Sequence, residues 1–172
     1  MGHEANELYG RAAAECGRML DRLTAGYEAD PDKRRDLRQE IHLQLWRSLA
    51  AFDGRCSLKT WALRVAHNTA ASYVIRERRV NAKLVSFEEI ERTMVSVEQP
   101  VDMDREMVLR DVQEVILTLK PLDRQIMISY LEEMDVASIA DITGLSAANV
   151  AMKIHRIKSI LARRFHEEQH YV

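Results

Sequence analysis

The chain of 172 residues has few of the residues that break or staple a backbone: 6 glycines, 3 prolines and 2 cysteines. So little glycine and proline excludes collagen-like and low-complexity chains. Two cysteines, Cys16 and Cys56, cannot build a disulfide framework or a structural zinc site, so both read as free thiols in a reducing cytosol. No apolar run approaches the ~18–20 residues of a membrane span. Residues 1–9 carry acids and no apolar core, so they do not read as a secretion signal. What is present is 47% apolar and 30% charged, the composition of a globular protein. The length allows one domain or two small ones.

Net charge is −2, which argues against a free-standing nucleic-acid binder. The distribution tells more. Residues 55–83 carry net +6, residues 84–114 net −6 and residues 142–172 net +3. Two basic segments separated by an acidic one suggest two contacts with a polyanion. Two solvated helix faces would give the same pattern.

The periodicity is helical. Leu37, Ile41, Leu45, Leu49 and Phe52 form one buried stripe from Asp36 to Phe52. Phe52 to Ser57 reads as a loop, and Leu58 to Arg79 as one long helix with a basic end. Residues 84–106 lose periodicity and read as an acidic linker, with Ser86 and Glu89 able to form a capping box. Leu84 to Phe87 is only faintly strand-like. Val108, Val112, Val115, Ile116 and Leu119 restore the helical period. Pro121 opens the next helix, with Ile126, Met127, Tyr130, Leu131 and Met134 expected on its buried side. A last stripe runs through Val150, Ile154, Ile157, Leu161 and Phe165. The fold class is therefore all-α: two small helical domains, 1–83 and 107–172, joined by the acidic linker 84–106.

Within the second domain, Ile139 to Ser146 followed by Val150 has helix-turn-helix spacing. Ala140 is small enough for two helices to cross closely. Gly144 suits the left-handed turn, and Ser146 can cap the second helix. Val150 anchors that helix to the first. Asn149, Ala151, Met152, Lys153, His155 and Arg156 are then expected to point outward, as a major-groove helix requires. An ordinary helical hairpin is the bland alternative. In the first domain Gln39, Glu40 and Gln44 interrupt an otherwise apolar helix. That fits either a central core helix or one that is half core and half partner surface. Trp61 and Asn68 lie seven apart on a helix ending in Arg76, Arg78 and Arg79, a mixture that suits unstacked bases and phosphate. A lone tryptophan, however, is more often core.

Taken together, Asp36–Trp46, Phe52–Arg55 and Thr60–Ala70 resemble region 2 of the sigma-70 family. Leu119–Ile126 through Val150–Leu161 resemble region 4. With no room for a region 3, the chain is similar to the small extracytoplasmic-function group, over roughly residues 15–165. The resemblance implies an alternative sigma factor that binds core RNA polymerase, recognises −35 and −10 promoter elements and promotes strand opening. It implies polymerase docking through Asp36, Gln39, Glu40, Leu43 and Trp46. It implies −10 contacts from Phe52, Arg55, Trp61, Leu63, Asn68, Ser72, Arg76, Arg78 and Arg79. Among these the Phe52–Ser57 loop would pocket a flipped base, and the arginines would hold phosphates. For the −35 element it implies Ser146, Asn149, Ala151, Met152, Lys153, His155 and Arg156, with Lys153 and Arg156 on the backbone. The partners implied are bacterial core polymerase, promoter DNA and an anti-sigma protein. No catalytic residue, metal, cofactor or small-molecule substrate is implied, and the location is cytoplasmic. Ala151 and Met152 stand where the family often has basic or polar residues. Leu63 stands where an aromatic is frequent, and Arg38 where a small apolar residue is common. These departures bear on promoter sequence, not on class.

Two rival readings compete. His166-Glu167-Glu168-Gln169-His170 matches H-E-x-x-H, a zinc-peptidase helix signature. Only two residues follow it, however, and an all-α chain offers no edge strand for a peptide. A helix-turn-helix regulator with a helical sensor domain would bind duplex DNA alone, usually as a dimer. The net charge and the lack of coiled-coil heptads disfavour it.

Overall fold

A computed structural model describes residues 2–77, 84–93 and 105–165. Eight α-helices and one 3-10 turn account for the regular structure among these residues: α1 (Gly2–Tyr27), α2 (Pro31–Ser48), the 3-10 turn Leu49–Ala51, α3 (Leu58–Glu77), α4 (Phe87–Thr93), α5 (Arg105–Thr118), α6 (Pro121–Leu131), α7 (Val136–Thr143) and α8 (Ala147–Phe165). The H-E-x-x-H segment, Arg78 and Arg79 lie outside the described residues.

The all-α expectation holds. Leu37, Ile41, Leu45 and Leu49 are buried as the stripe requires. Helix α2 starts earlier than the periodicity suggested. Asp30 caps it by accepting from the amides of Asp32 and Lys33, and Pro31 fills its first turn. Helix α1 was not read from the sequence, yet it supplies Ala12, Cys16, Leu20, Leu23 and Tyr27 to the core and packs on α2 and α3.

Helices α5–α8 form the second unit, and it packs directly on the first: α7 and α6 lie against α3, and α5 and α6 against α1. The approach is close at Gly26, where a Cβ would stand 2.7 Å from Ile128 Cδ1. Helix α6 is thereby enclosed, with every residue from Asp123 to Ser129 buried. Leu131 is a correction: it is exposed, because α6 ends there and the chain turns at Glu133, which adopts positive φ.

Polar side chains cross the junction. His67 of α3 is buried between the hydroxyls of Tyr27 (3.0 Å to Nδ1) and Ser129 (3.2 Å to Nε2). Burial pushes its pKa down to about 3, so the imidazole is neutral. Burial also pushes the Tyr27 phenol up. Arg124 is fully buried and donates to the carbonyls of Leu117, Leu119 and Tyr27, capping the end of α5.

Part of the acidic segment is ordered against the second unit. Val85 pairs with Leu119 in a single parallel bridge, the only remnant of the faint strand signal among the described residues. The capping box forms as expected: the Glu89 amide donates to Ser86 Oγ (3.3 Å) and Glu89 Oε2 accepts from the Ser86 amide (2.7 Å). Lys120 and Ser86 hold the Glu89 carboxyl down at a pKa of about 2. Phe87 is buried, and α4 lies on α8.

Candidate nucleic-acid interface

Helix α2 is divided lengthwise. Leu37, Ile41 and Leu45 face the core, while Asp36, Gln39, Leu43 and Trp46 are exposed on the other side. Leu43 and Trp46 are large apolar groups left half in water on this outer side. Glu40 belongs to the same outer strip and accepts from Arg76 of α3 at 3.0 Å. Beside it runs an open cleft lined by Tyr9, Arg35, Arg38, Gln39 and His42. Asn6 of α1 accepts from the Trp46 indole N–H at 2.8 Å and fixes that ring's orientation.

The loop after α2 is held at both ends. Phe52 meets Trp61 edge-on, with ring centroids 5.5 Å apart. The Trp61 indole donates to Ser48 Oγ at 3.1 Å, so it is a half-buried strut at the loop base. Ser57 caps α3 by accepting from the Thr60 amide. Gly54 takes φ +75° and leaves Arg55 exposed, paired with Asp53. On α3, Asn68, Ser72 and Arg76 share an exposed face. Leu63 does not join them. It is 2% exposed, because five residues of helix turn it about 140° away from Asn68.

The helix-turn-helix has the geometry its residues called for. Asp135 caps α7 through the Ser138 amide (2.8 Å), Gly144 takes φ +74°, and Ser146 Oγ accepts from the Asn149 amide (3.3 Å). Val150, Ile154, Ile157 and Ile160 are buried. Ile160 takes the place in the stripe that the spacing assigns to Leu161, which is only half-buried; the Phe165 side chain lies outside the described residues. Ser146, Asn149, Ala151, Met152 and His155 are exposed, Met152 at 57%.

Two cations depart from the outward reading. Lys153 is only 19% exposed, and its ammonium sits 2.6 Å from buried Asp123 and 3.6 Å from Glu88. It lies on the edge of the buried stripe, where its charge meets a carboxylate and the Phe87 ring. Arg156 is half-covered and pairs with Glu88 and Glu91 of α4. The Glu88 carboxyl is held below its ordinary range. Burial opposes this, but backbone hydrogen bonding, Lys153, Ser86 and Arg156 together outweigh it. Sequence reasoning missed Asp123, Glu88 and Glu91. The only signal was the capping box beside Glu88, which places a helix but not its partner.

Comparison with known proteins fits this arrangement. Residues 13–80 match the family model for sigma-70 region 2, and residues 109–161 the model for sigma-70 region 4. The chain belongs to the sigma-70 family, in its extracytoplasmic-function group. It is 26% identical over 126 residues to the RNA polymerase sigma factor YlaC of Bacillus subtilis (strain 168), covering 72% of each. It is 25% identical over 154 residues to the ECF RNA polymerase sigma factor SigK of Mycobacterium sp. (strain KMS), covering 86% of this chain and 75% of the relative. The fold is similar to that of CnrH, solved in complex with the cytosolic domain of CnrY, with a TM-score of 0.63 at 16% identity over 96% of each chain. The chain is thus an alternative RNA polymerase sigma factor, a class that binds core polymerase and promoter DNA. None of its helices, among the described residues, is long and apolar enough to cross a membrane.

Proposed function

We propose a division of labour within this sigma factor. The outer strip of α2, comprising Asp36, Gln39, Glu40, Leu43 and Trp46, docks on core polymerase. The Phe52–Ser57 loop with Arg55, and Asn68, Ser72 and Arg76 of α3, engage the separated −10 strand. Ala151, Met152 and His155 of α8 meet base edges of the −35 duplex, with Ser146, Asn149 and Arg156 toward its backbone. The observation that carries this reading is α8 itself: a helix capped by Ser146 whose small and apolar groups Ala151 and Met152 stay in water. Exposed Ala151 and Met152 suit thymine methyls and cannot make an arginine–guanine contact. Lys153 supports the helix through Asp123 and is not one of the open phosphate contacts.

This reading requires a change of shape. A compact chain of this length is roughly 40 Å across. Elements about 25 base pairs apart are separated by ~85 Å at ~3.4 Å per pair. The packing of α6 and α7 on α3 therefore opens when both elements are held. A closed chain with a polar seam also suits an inhibitory protein partner that keeps it closed. That partner, and a cytoplasmic location beside the polymerase, belong to the same proposal.

The test is transcription by core polymerase with and without the chain, followed by Asn68→Ala. That variant spares closed-complex formation and lowers open complex, read by permanganate reactivity at the −10 element. A pre-melted bubble rescues it only partly, because the base contact itself is gone. Equal loss at the closed step, or transcription indifferent to the chain, would overturn the assignment.

A further inference from the structure

The contacts of α4 do more than tidy the linker. Glu88 reaches both Arg156 and Lys153, and Glu91 adds a second carboxylate 3.7 Å from Arg156. These carboxylates are held there by the rest of the segment. Phe87 is buried, its amide donates to Asp123 Oδ2 at 2.9 Å, and its ring lies 5.7 Å from the Lys153 ammonium. Lys120 grips Glu89 at 2.9 Å, and Val85 is hydrogen-bonded on both sides, to Thr118 and Lys120. Meanwhile the reading face beside the pair, Ala151, Met152 and His155, is uncovered. Helix α4 therefore covers the phosphate-binding flank of α8 and leaves the base-reading flank open.

We infer that α4 is an autoinhibitory clamp, in which Glu88 and Glu91 occupy on Arg156 the place of a DNA phosphate. The inference rests on the reading of α8 as the −35 helix. A guanidinium already neutralised by two carboxylates releases no counterion when DNA arrives, and the carboxylates themselves repel the phosphates alongside. The clamp lowers backbone affinity, the part of DNA binding that carries no sequence information. Base contacts and polymerase tethering then decide where α8 settles. Swinging the two glutamate side chains aside is enough to free Arg156. Phe87 and the rest of α4 need not leave the core.

Backbone contacts are independent of sequence, so the full chain is titrated against a fluorescent 25-base-pair duplex of arbitrary sequence, by anisotropy, across a salt series. E88Q/E91Q is compared with the wild type and with E106Q/E114Q, which removes two exposed carboxylates from α5. The clamp predicts that E88Q/E91Q binds about tenfold tighter at low salt than the E106Q/E114Q control. Its log–log salt slope is steeper by about one, the worth of one more phosphate contact. R156A cancels that gain when combined with E88Q/E91Q. A gain no larger than the control's, or one that survives R156A, overturns the clamp. So does weaker binding with a lowered melting temperature, which would make α4 only a support for α8. The reading beneath it fails separately. If R156A leaves affinity and slope untouched in both backgrounds, α8 is not the DNA-facing helix. If R156A weakens binding but E88Q/E91Q adds nothing beyond the control, only the clamp is wrong.

Discussion

Acidification to pH 5 should loosen the seam between the two units, and His67 sets the size of the effect. The ring is 1% exposed, and burial is what pushes its pKa down. Tyr27 from α1 and Ser129 from α6 hold its two nitrogens, and Arg124 stacks beyond, over the Tyr27 ring. A pKa of about 3 in the packed chain, against 6.5 for a free imidazole, means that between those values only the opened or unfolded chain binds the proton. Stability therefore rises with pH across this window and is lost as pH falls below 6.5. Integrating from pH 7 to pH 5 gives a loss of about 2 kcal/mol from this one group, at about 1.4 kcal/mol per pH unit below 6.5. Half-buried His42, also shifted down by burial, acts in the same direction. The depressed carboxylates Glu88, Glu89, Asp30 and Asp135 lose their contribution only at lower pH. The assay is urea unfolding at half-unit pH steps from 5 to 7.5, on the wild type and His67→Gln. Glutamine keeps a donor and an acceptor and removes the titration. Whatever His67→Gln costs at pH 7.5, its stability should vary less with pH by about 2 kcal/mol over the range. Small-angle scattering distinguishes opening from unfolding, because separation of the units enlarges the chain while helical content stays constant. Parallel pH dependences for the two proteins would refute the reasoning, since His67 would then be taking its proton without leaving the seam.

Three further outcomes test individual contacts. Glu40→Arg should weaken core-polymerase binding at least tenfold by co-purification, while stability changes by about 1 kcal/mol or less, because its pair with Arg76 is partly exposed. Gly144→Ala should cost about 1–2 kcal/mol in denaturant unfolding. The price is conformational: φ is +74° and nothing stands within 4 Å of the added Cβ, so Gly144→Asn should recover part of the loss. Asp123→Ala should cost about 3 kcal/mol, since it strands the buried Phe87 amide and leaves the Lys153 ammonium only the longer contact to Glu88, and Asp123→Asn should cost less.

The parts legible in the sequence are those whose physics is local. Gly144 and Ser146 act within four residues of themselves, so the turn of the helix-turn-helix and the cap of its second helix could be read directly. The Ser86–Glu89 box spans three positions and formed as read. Leu37, Ile41 and Leu45 repeat on one face and are buried. Helix α1 was missed for an equally local reason: Ala12 and Cys16 are small and register weakly as hydrophobic, yet both are buried. Leu63 was misplaced because a match to a family position says nothing about helical phase.

What was not legible is the charge pairing. Lys153 and Arg156 look like free cations in a basic segment, and their partners Glu88, Glu91 and Asp123 stand 30 to 68 positions away. No periodicity links them, and a segment's net charge hides a neutralised cation as readily as it shows a free one. The same is true of the seam. His67 reads as one polar residue on a helix until Tyr27 and Ser129, 40 and 62 positions distant, are brought to its two nitrogens. Both sets of contacts join parts of the chain that the proposed mode of promoter binding rearranges: one seam closes the gap between α3 and α6, and the other covers a flank of α8. Local interactions shape the elements proposed to meet DNA. On that proposal the long-range ones hold those elements where DNA would displace them, which is why sequence periodicity reveals the exposed helix faces but not what restrains them.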